Sequence, residues 1–205
     1  MQIFLHQGDL PDQHPFQQID SVAVDTETMG LEVHRDRLCL VQLSTGDGHC
    51  HLVQIKKNQA PPPRLCALLS DPQILKIFHF GRFDIAALYA SFGVLAAPVF
   101  CTKIASKLTR TYTDKHGLKE LCKSILNIEI SKQEQTSDWG AETLTDEQKK
   151  YAATDVLHLH TLKNHFEKTL KREDRATLAK AAFDYLPYRA QLDVLAGSTY
   201  DVLSY

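Results

Sequence analysis

The chain has 205 residues, of which 43% are hydrophobic and 23% are charged, and its formal net charge is -2. A chain of this length can bury one good-sized core, and nothing in it requires two domains. The near-neutral charge disfavours a protein that holds long nucleic acid by its backbone. No apolar stretch approaches the ~18 residues of a membrane span. We therefore predict a single domain, 1–205, that has no membrane association and is cytoplasmic.

The cysteines give a second indication of the compartment. There are five, an odd number, and none occurs in a C-x-x-C spacing. Several lie inside apolar runs, so we expect buried free thiols in a reducing environment and no zinc site. The five are Cys39, Cys50, Cys66, Cys101 and Cys122.

Five short segments rich in aliphatic and β-branched residues are predicted to be strands. They are residues 21–25, 38–44, 50–55, 74–78 and 99–102, the last as an edge strand. The turn residues Thr45-Gly-Asp-Gly, between the second and third segments, predict a hairpin connection.

Helical spacing dominates the rest of the chain. A helix is predicted after the prolines at 61–63, and a second helix begins at Phe83 and stops near Gly93. From Ile104 onward the pattern is almost wholly helical, and Thr145 is a suitable N-cap for one of these helices. Strands first, then a strand-helix alternation and then helices predict an α/β sheet covered by helices.

Acidic residues occur where the predicted elements can bring them together. Asp25 and Glu27 are two apart at the end of a strand, so they share one face. Asp84 follows far downstream at the start of a helix. Tyr151 and Asp155 are four apart on a helix and project from one side of it. Acids that face one small volume are costly unless a cation neutralises them.

This set of residues predicts a metal-dependent nuclease. Two Mg²⁺ or Mn²⁺ ions ~4 Å apart would stabilise the attacking and leaving oxygens of an in-line displacement. Such hard cations take carboxylate oxygens, whereas thiols and histidines suit zinc. The phenol of Tyr151 can then orient or deprotonate a water beside the scissile phosphate. Each residue alone is more commonly a turn former or a core residue, but three segments with matching chemistry favour the catalytic interpretation.

The same segments resemble the motifs of the DEDD 3′-5′ exonucleases, and within them the tyrosine-bearing subgroup that includes ribonuclease D. The resemblance runs from about 21 to 162, and the stretch 132–140 looks like the segment before the third motif. The chain is too short after Asp155 for the helical nucleic-acid-binding domains of full ribonuclease D, so it looks most like the compact bacterial nanoRNase C group. The resemblance implies a ribonuclease H-like mixed five-stranded sheet flanked by helices. It places a catalytic core at about 20–170 and a helical C-terminal extension at 171–205.

The resemblance also implies roles for the site residues. Asp25, Glu27 and Asp155 would hold the catalytic metal, and Asp25 would also touch a second ion. Asp84 would bind that second ion directly or through water, and Tyr151 would position the nucleophile. The implied cofactors are therefore two divalent cations, Mg²⁺ or Mn²⁺.

Substrate contacts are implied for the residues around these motifs. Leu31 would wedge between two bases, with an ordinary core leucine as the alternative. Trp139 would stack on a base, with packing of a helix on the core as the alternative. The second motif departs from the commoner pattern, having Phe80-Gly-Arg where relatives often carry Asn-Ala-Lys. The expected substrate-binding residues are Thr28, Met29, Gly30, Leu31, His79, Phe83, Lys132, Gln135, Ser137 and Trp139.

The functional hypothesis is a 3′-5′ exoribonuclease that degrades very short single-stranded RNA, especially dinucleotides, to nucleoside 5′-monophosphates. One alternative is an exonuclease that trims longer single-stranded RNA or DNA. An alternative of another class is a non-catalytic nucleic-acid-binding module.

The C-terminal part suggests a protein partner. The last forty residues carry more apolar and aromatic side chains than a free tail would, so they are expected to pack on their own domain or on a neighbouring subunit. Members of the nanoRNase C group are ring-shaped octamers, and the resemblance therefore implies a homo-oligomer of that kind.

Overall fold

A mixed six-stranded sheet forms the centre of the computed structural model, which describes residues 1–130, 137–197 and 202. The strand order is β1-β4-β3-β2-β5-β6. β2, β3 and β4 are antiparallel neighbours, whereas β1 pairs with β4, β5 with β2 and β6 with β5 in parallel. The strands are β1 (Gln2–Gln7), β2 (Ser21–Thr28), β3 (Leu38–Ser44), β4 (His49–Gln54), β5 (Leu75–Phe78) and β6 (Val99–Cys101).

The sheet confirms the predicted α/β fold and corrects its strand count from five to six. The missed strand is β1, an edge strand that pairs with β4 from Gln2 opposite His49 to Gln7 opposite Gln54. It has six residues, of which only Ile3, Phe4 and Leu5 are apolar, and no β1 residue is fully buried. The partner lies more than forty residues away, so only tertiary pairing defines this strand.

The strand that carries the first two acids is longer than predicted. β2 was expected to end at Asp25, but it continues to Thr28 because the ladder with β3 continues. Asp25 lies opposite Gln42, and Glu27 lies opposite Leu40, with a bulge between Glu27 and Thr28. Both acids therefore project from regular strand backbone, which fixes their spacing.

Seven α-helices and one π-helical turn surround the sheet in the described residues. The prediction that the chain is almost wholly helical after Ile104 is wrong for residues 110–117, 127–130 and 137–145. Threonine, aspartate and glycine residues form turns in the first and third of these segments, and the left-handed Asn127 ends the π-helical turn before the second. The helices are α1 (Pro63–Ser70), α2 (Arg82–Phe92), α3 (Thr102–Thr109), α4 (Leu118–Leu121), α5 (Asp146–Leu157), α6 (Leu159–Arg172) and α7 (Ala176–Ala196), and the π-helical turn, Cys122–Leu126, follows α4.

The structure bears on the predicted state of the cysteines and on the predicted lack of a membrane span. The five cysteines are free thiols, and four of them are buried as predicted, whereas Cys66 is partly exposed. Among the described residues, no helix combines the length and the apolar character that a membrane crossing requires.

A capping box begins α5, the helix with the third motif. The Thr145 hydroxyl accepts a hydrogen bond from the Gln148 backbone N–H at 3.1 Å, and the Gln148 side chain accepts one from the Thr145 N–H at 2.8 Å. Ala152, Ala153 and Val156 are fully buried, and α5 packs across β2, β3 and β4. This packing directs the other side of α5 toward the end of β2.

Candidate active site

Three carboxylates meet at the end of β2. Asp25, Glu27 and, from α5, Asp155 each offer an oxygen, and these oxygens lie within 4.8 Å of one another. Two unit charges about 4 Å apart repel each other by ~4 kcal/mol at an effective dielectric constant of about 20. The cluster is therefore unfavourable unless it is protonated or neutralised by a cation.

Burial and mutual repulsion raise the pKa values of these acids. Burial is the main reason that the pKa of Asp25 lies well above its usual value, and Asp84, Asp155 and Glu27 add to it. Burial, followed by repulsion from Asp155 and Asp84, raises the pKa of Glu27 to about 9. Burial likewise raises the pKa of Asp84 to about 7, although the hydrogen bond from Thr26 acts in the opposite direction.

Asp84 lies beside this cluster on the first turn of α2 and is 5% exposed. Its Oδ1 accepts a hydrogen bond of 2.6 Å from the hydroxyl of Thr26. Thr26 stands between Asp25 and Glu27, so strand alternation directs its side chain to the other face of β2. Sequence reasoning missed Thr26, although a hydroxyl residue between two facing acids was a usable signal.

Gln42 of β3 is a second missed partner. It is fully buried, and its Nε2 donates a hydrogen bond of 3.4 Å to Oδ2 of Asp25. Its own Oε1 has no hydrogen-bond partner. A buried amide with an unsatisfied oxygen is costly, so its presence favours a role in holding the Asp25 carboxylate. The signal was one amide in an otherwise apolar strand.

Tyr151 lies one helical turn before Asp155. Burial raises the pKa of its phenol far above its usual value, and repulsion from Asp155, Glu27 and Asp25 adds to the effect, so the phenol is protonated at neutral pH. The ring lies 6.0 Å from that of Trp139. Trp139 is only 2% exposed, and this burial favours packing against Tyr151 over stacking on a base.

A cleft of about 760 Å³ opens above the acids, and the loop after β2 forms one wall of it. Thr28, Met29, Gly30 and Leu31, which are predicted to bind substrate, all line the cleft. Leu31 is 81% exposed and Met29 is 50% exposed. The alternative of a core leucine at Leu31 is therefore wrong, and exposed apolar side chains at a cleft indicate a binding surface.

The other predicted contact residues lie on the remaining walls. His79, Phe83, Ser137 and Trp139 line the cleft, and the His79 ring is within 2.9 Å of the Thr102 hydroxyl. Phe80, which was not predicted to be a contact, also lines it. Lys132 and Gln135, which are also expected to bind substrate, lie outside the described residues.

The donor set fits a hard divalent cation. In the part of the chain that the structure describes, these three carboxylates are the one group of histidine, cysteine and acidic residues that could hold a metal ion. Oxygen donors without thiol or imidazole suit Mg²⁺ or Mn²⁺ better than zinc. The raised pKa values of Asp25 and Glu27 agree with this, because buried carboxylates that lie close together are unfavourable in their charged forms unless a cation is bound.

The sequence is similar to that of known nucleases. A family described as 3′-5′ exonuclease matches residues 13–171. A ribonuclease D of Gluconacetobacter diazotrophicus is 35% identical over 157 residues, which are 75% of this chain and 39% of that protein. The chain thus spans about two-fifths of the length of the curated relatives it matches.

Solved structures of similar fold cover the whole chain. Brucella melitensis NrnC with bound Mg²⁺ is 52% identical with a TM-score of 0.95, and the match covers 100% of both chains. The same protein bound to pGG is 53% identical with a TM-score of 0.96, and the match covers 100% of this chain and 99% of that one. These matches confirm the predicted resemblance to ribonuclease D and to the nanoRNase C group.

Proposed function

The chain belongs to the 3′-5′ exonuclease family, and from that premise we propose that it is a metal-dependent exoribonuclease acting on very short RNA. It releases nucleoside 5′-monophosphates from the 3′ end, and dinucleotides are its preferred substrates. The observation that carries the proposal is the convergence of Asp25, Glu27 and Asp155 at the base of a cleft with an exposed apolar rim.

Two further observations support a short substrate. The chain is similar over its whole length to a protein whose structure was solved with bound pGG. Its net charge of -2 gives little attraction for a long phosphate backbone. Both favour recognition of the ends of a short RNA.

We assign roles to the chain's own residues as follows. Asp25, Glu27 and Asp155 hold one divalent cation, and Asp84 contributes to a second, with Mg²⁺ or Mn²⁺ as the ion. When bound, such ions supply charge stabilisation to the phosphoryl oxygens and lower the pKa of a water. Tyr151, protonated and hydrogen-bonded to Asp155, orients the attacking water. Leu31 separates the two bases of a dinucleotide.

The test is a time course with 5′-labelled RNA of two, three, seven and about twenty nucleotides, in Mg²⁺, in Mn²⁺ and in EDTA. Rapid cleavage of the dinucleotide, slower cleavage of longer chains and no cleavage in EDTA are expected. Asp25→Asn, which removes one charge from the cluster without a change of shape, is the matched inactive control.

Other outcomes would point to the alternative functions. Efficient shortening of the longest RNA, with dinucleotides left over, would favour a ribonuclease D-like trimming enzyme. Equal cleavage of DNA strands would remove the assignment to RNA. Binding without cleavage under every metal condition would leave a nucleic-acid-binding module, which the complete set of acids makes the weakest of the three.

We also propose that α7 mediates self-association. Leu178, Tyr185, Tyr188 and Leu195 are 36–71% exposed on this helix. Their spacings of seven, three and seven residues place them on one face of about 100°. The spacing is the same when it is read from either end of the helix. If two copies of α7 pack antiparallel about a two-fold axis, Leu178 of one copy therefore lies against Leu195 of the other, and Tyr185 lies against Tyr188. Such an isologous contact is the commonest basis of homodimers. A ring of eight subunits stays a prediction.

A further inference from the structure

A buried carboxylate on α7 lies between two arginines. Asp193 is 4% exposed. Arg82 Nε lies 2.7 Å from its Oδ2, and Arg82 Nη2 lies 2.9 Å from its Oδ1. Arg189, one turn earlier on α7, lies 2.7 Å from the same Oδ1. The Arg82 pair is bidentate, the geometry in which a guanidinium fixes both the position and the orientation of a carboxylate.

Arg82 lies at the N-terminus of α2, where a positive charge is unfavourable. Arg82 is the first residue of α2, a helix without a side-chain N-cap. A positive charge at a helix N-terminus opposes the helix dipole, where acidic residues are favoured. Asp193 compensates the Arg82 charge from another helix. The pairing therefore connects the start of α2 to the C-terminal helix across 111 residues of sequence.

The chain that enters α2 has little freedom of its own. Phe80 has a left-handed backbone with φ of 66°, which is unfavourable for an aromatic residue. A Cβ on Gly81 would lie 2.6 Å from Cβ of Phe78, so the turn passes directly against β5. This turn orients Phe83, which lines the cleft, and Asp84. A constrained turn of this kind needs contacts from its surroundings to persist.

The first turn of α2 is thus held from two sides. From β2, the Thr26 hydroxyl donates to Asp84. From α7, Asp193 accepts two hydrogen bonds from Arg82. A second contact along the same pair of helices joins Gln191 Nε2 to the Tyr89 hydroxyl at 2.9 Å. The α7 contacts come from residues beyond 171, where the family match ends.

We propose that Asp193 is a positioning residue of the active site: through Arg82 it fixes the first turn of α2, and with it the orientation of Asp84 and Phe83. The C-terminal helix then completes the metal site, although it carries no ligand. The assignment of Asp84 to a cation rests on the proposed function.

The test compares Arg82→Gln with Arg189→Gln. Each variant removes one positive charge beside the same carboxylate and leaves Asp193 with one arginine, but only Arg82→Gln removes the pairing of Asp193 with α2. Mn²⁺ binding is measured by electron paramagnetic resonance without RNA, and unfolding is followed by circular dichroism in EDTA. Residues that orient metal ligands change metal affinity by about 10- to 100-fold. Arg82→Gln is expected to weaken Mn²⁺ binding by about tenfold or more, and Arg189→Gln by less than about threefold.

Two outcomes would overturn the inference: unchanged Mn²⁺ affinity in Arg82→Gln, or equal losses in both variants. If Arg82→Gln does not fold, Arg82→Lys and Arg189→Lys replace the pair. Lysine keeps the charge but cannot bind a carboxylate bidentately. Arg82→Lys is therefore expected to lose more Mn²⁺ affinity than Arg189→Lys, by a smaller margin than in the glutamine pair. Equal losses in the two lysine variants overturn the inference. Dinucleotide cleavage is measured separately. Wild-type protein that binds Mn²⁺ but cleaves no RNA would refute the proposed function, while the asymmetry in Mn²⁺ affinity would still support the positioning role.

Discussion

At the scale of single residues, the cluster of acids destabilises the metal-free protein, and uncharged hydrogen-bond donors orient two of its carboxylates. Asp25 receives a hydrogen bond from Gln42, and Asp84 receives one from Thr26. Neither partner carries a charge, so neither neutralises the carboxylates. The repulsion among the acids is therefore relieved when a cation binds, and this relief favours binding. An arginine in either place would hold the carboxylate more strongly, but it would also compete with the metal.

Asp25→Asn should abolish measurable cleavage and stabilise the metal-free protein. Loss of a ligand removes several kcal/mol of charge stabilisation, so the rate should fall by at least about 10²-fold. Removal of one acid also relieves repulsion from Asp84, Asp155 and Glu27. The melting temperature in EDTA should therefore rise, and Mg²⁺ should stabilise the variant less than wild type. A lower melting temperature in EDTA would contradict the account of the cluster.

The stability of the metal-free protein should fall as the pH rises. The pKa of Glu27 is raised to about 9 and that of Asp84 to about 7. A raised pKa gives a stabilising contribution that is complete below the ordinary value near 4 and is lost as the pH rises through the raised value. Melting temperatures in EDTA should therefore decrease from pH 5 to pH 9, and saturating Mg²⁺ should oppose the decrease. Asp25→Asn is the control, and its slope should be smaller.

Tyr151→Phe should lower the turnover number much more than it raises KM. The phenol is assigned to the attacking water, and groups that act on the nucleophile contribute about 10²- to 10⁴-fold. The substitution keeps the ring that packs near Trp139, so stability should change little. Single-turnover cleavage of a dinucleotide separates the chemical step from product release. An unchanged rate would limit Tyr151 to packing.

At the scale of elements, the cleft depends on the loop 137–145, which precedes α5. Arg37 donates to the Gly140 carbonyl at 3.1 Å, and Gln54 donates to the Ala141 carbonyl at 2.9 Å. Gln148, which also belongs to the capping box, donates to the Asp138 carbonyl at 3.1 Å. One side chain just before β3, one from β4 and one from α5 thus hold this loop beside the rim of the cleft.

Gly140→Ala should raise KM for short RNA with little loss of stability. A Cβ at this position would meet the Met29 sulfur and would lie 3.1 Å from Arg37 Nη2. Met29 is half-exposed and can move, so the melting temperature should fall by less than about 2 °C, but its movement alters the rim of the cleft. Gly117→Ala is the control, because a Cβ there meets nothing within 4 Å. Equal KM values for the two variants would exclude a role of the rim in binding.

At the scale of the whole molecule, we assign two proposed functions to two faces of α7. Its inner face carries Asp193 together with the buried Phe183, Leu186 and Ala190. Its outer face carries the exposed leucines and tyrosines that we assign to self-association. Contacts between subunits on one face would therefore stabilise the helix that supports the active site from the other.

Replacement of Tyr185 and Tyr188 together by serine should lower the molecular mass of the protein in solution. The two rings lie at the centre of the proposed two-fold contact, and buried aromatic side chains contribute strongly to interfaces. Sedimentation equilibrium at micromolar concentration measures the effect. Lys180→Ser, at a side chain 74% exposed elsewhere on α7, should leave the mass unchanged. A wild-type protein that sediments as a monomer would refute the self-association.

The sequence by itself determined the residues of the site and most of the elements that carry them. Asp25 and Glu27 share a face because strand geometry has a period of two, and Tyr151 lies near Asp155 because helix geometry brings residues four apart together. The hairpin after Ser44 and the cap at Thr145 were also predictable. These features depend on neighbours a few residues apart, so local sequence contains the information.

Only the tertiary structure decided which distant groups support those residues. Gln42 meets Asp25 across strands, Thr26 meets Asp84 across 58 residues, and Asp193 meets Arg82 across 111. The pairing of β1 with β4 belongs to the same class. Contacts of this kind follow from the order of strands and the packing of helices, because a side chain's polarity indicates that it needs a partner but does not indicate which one.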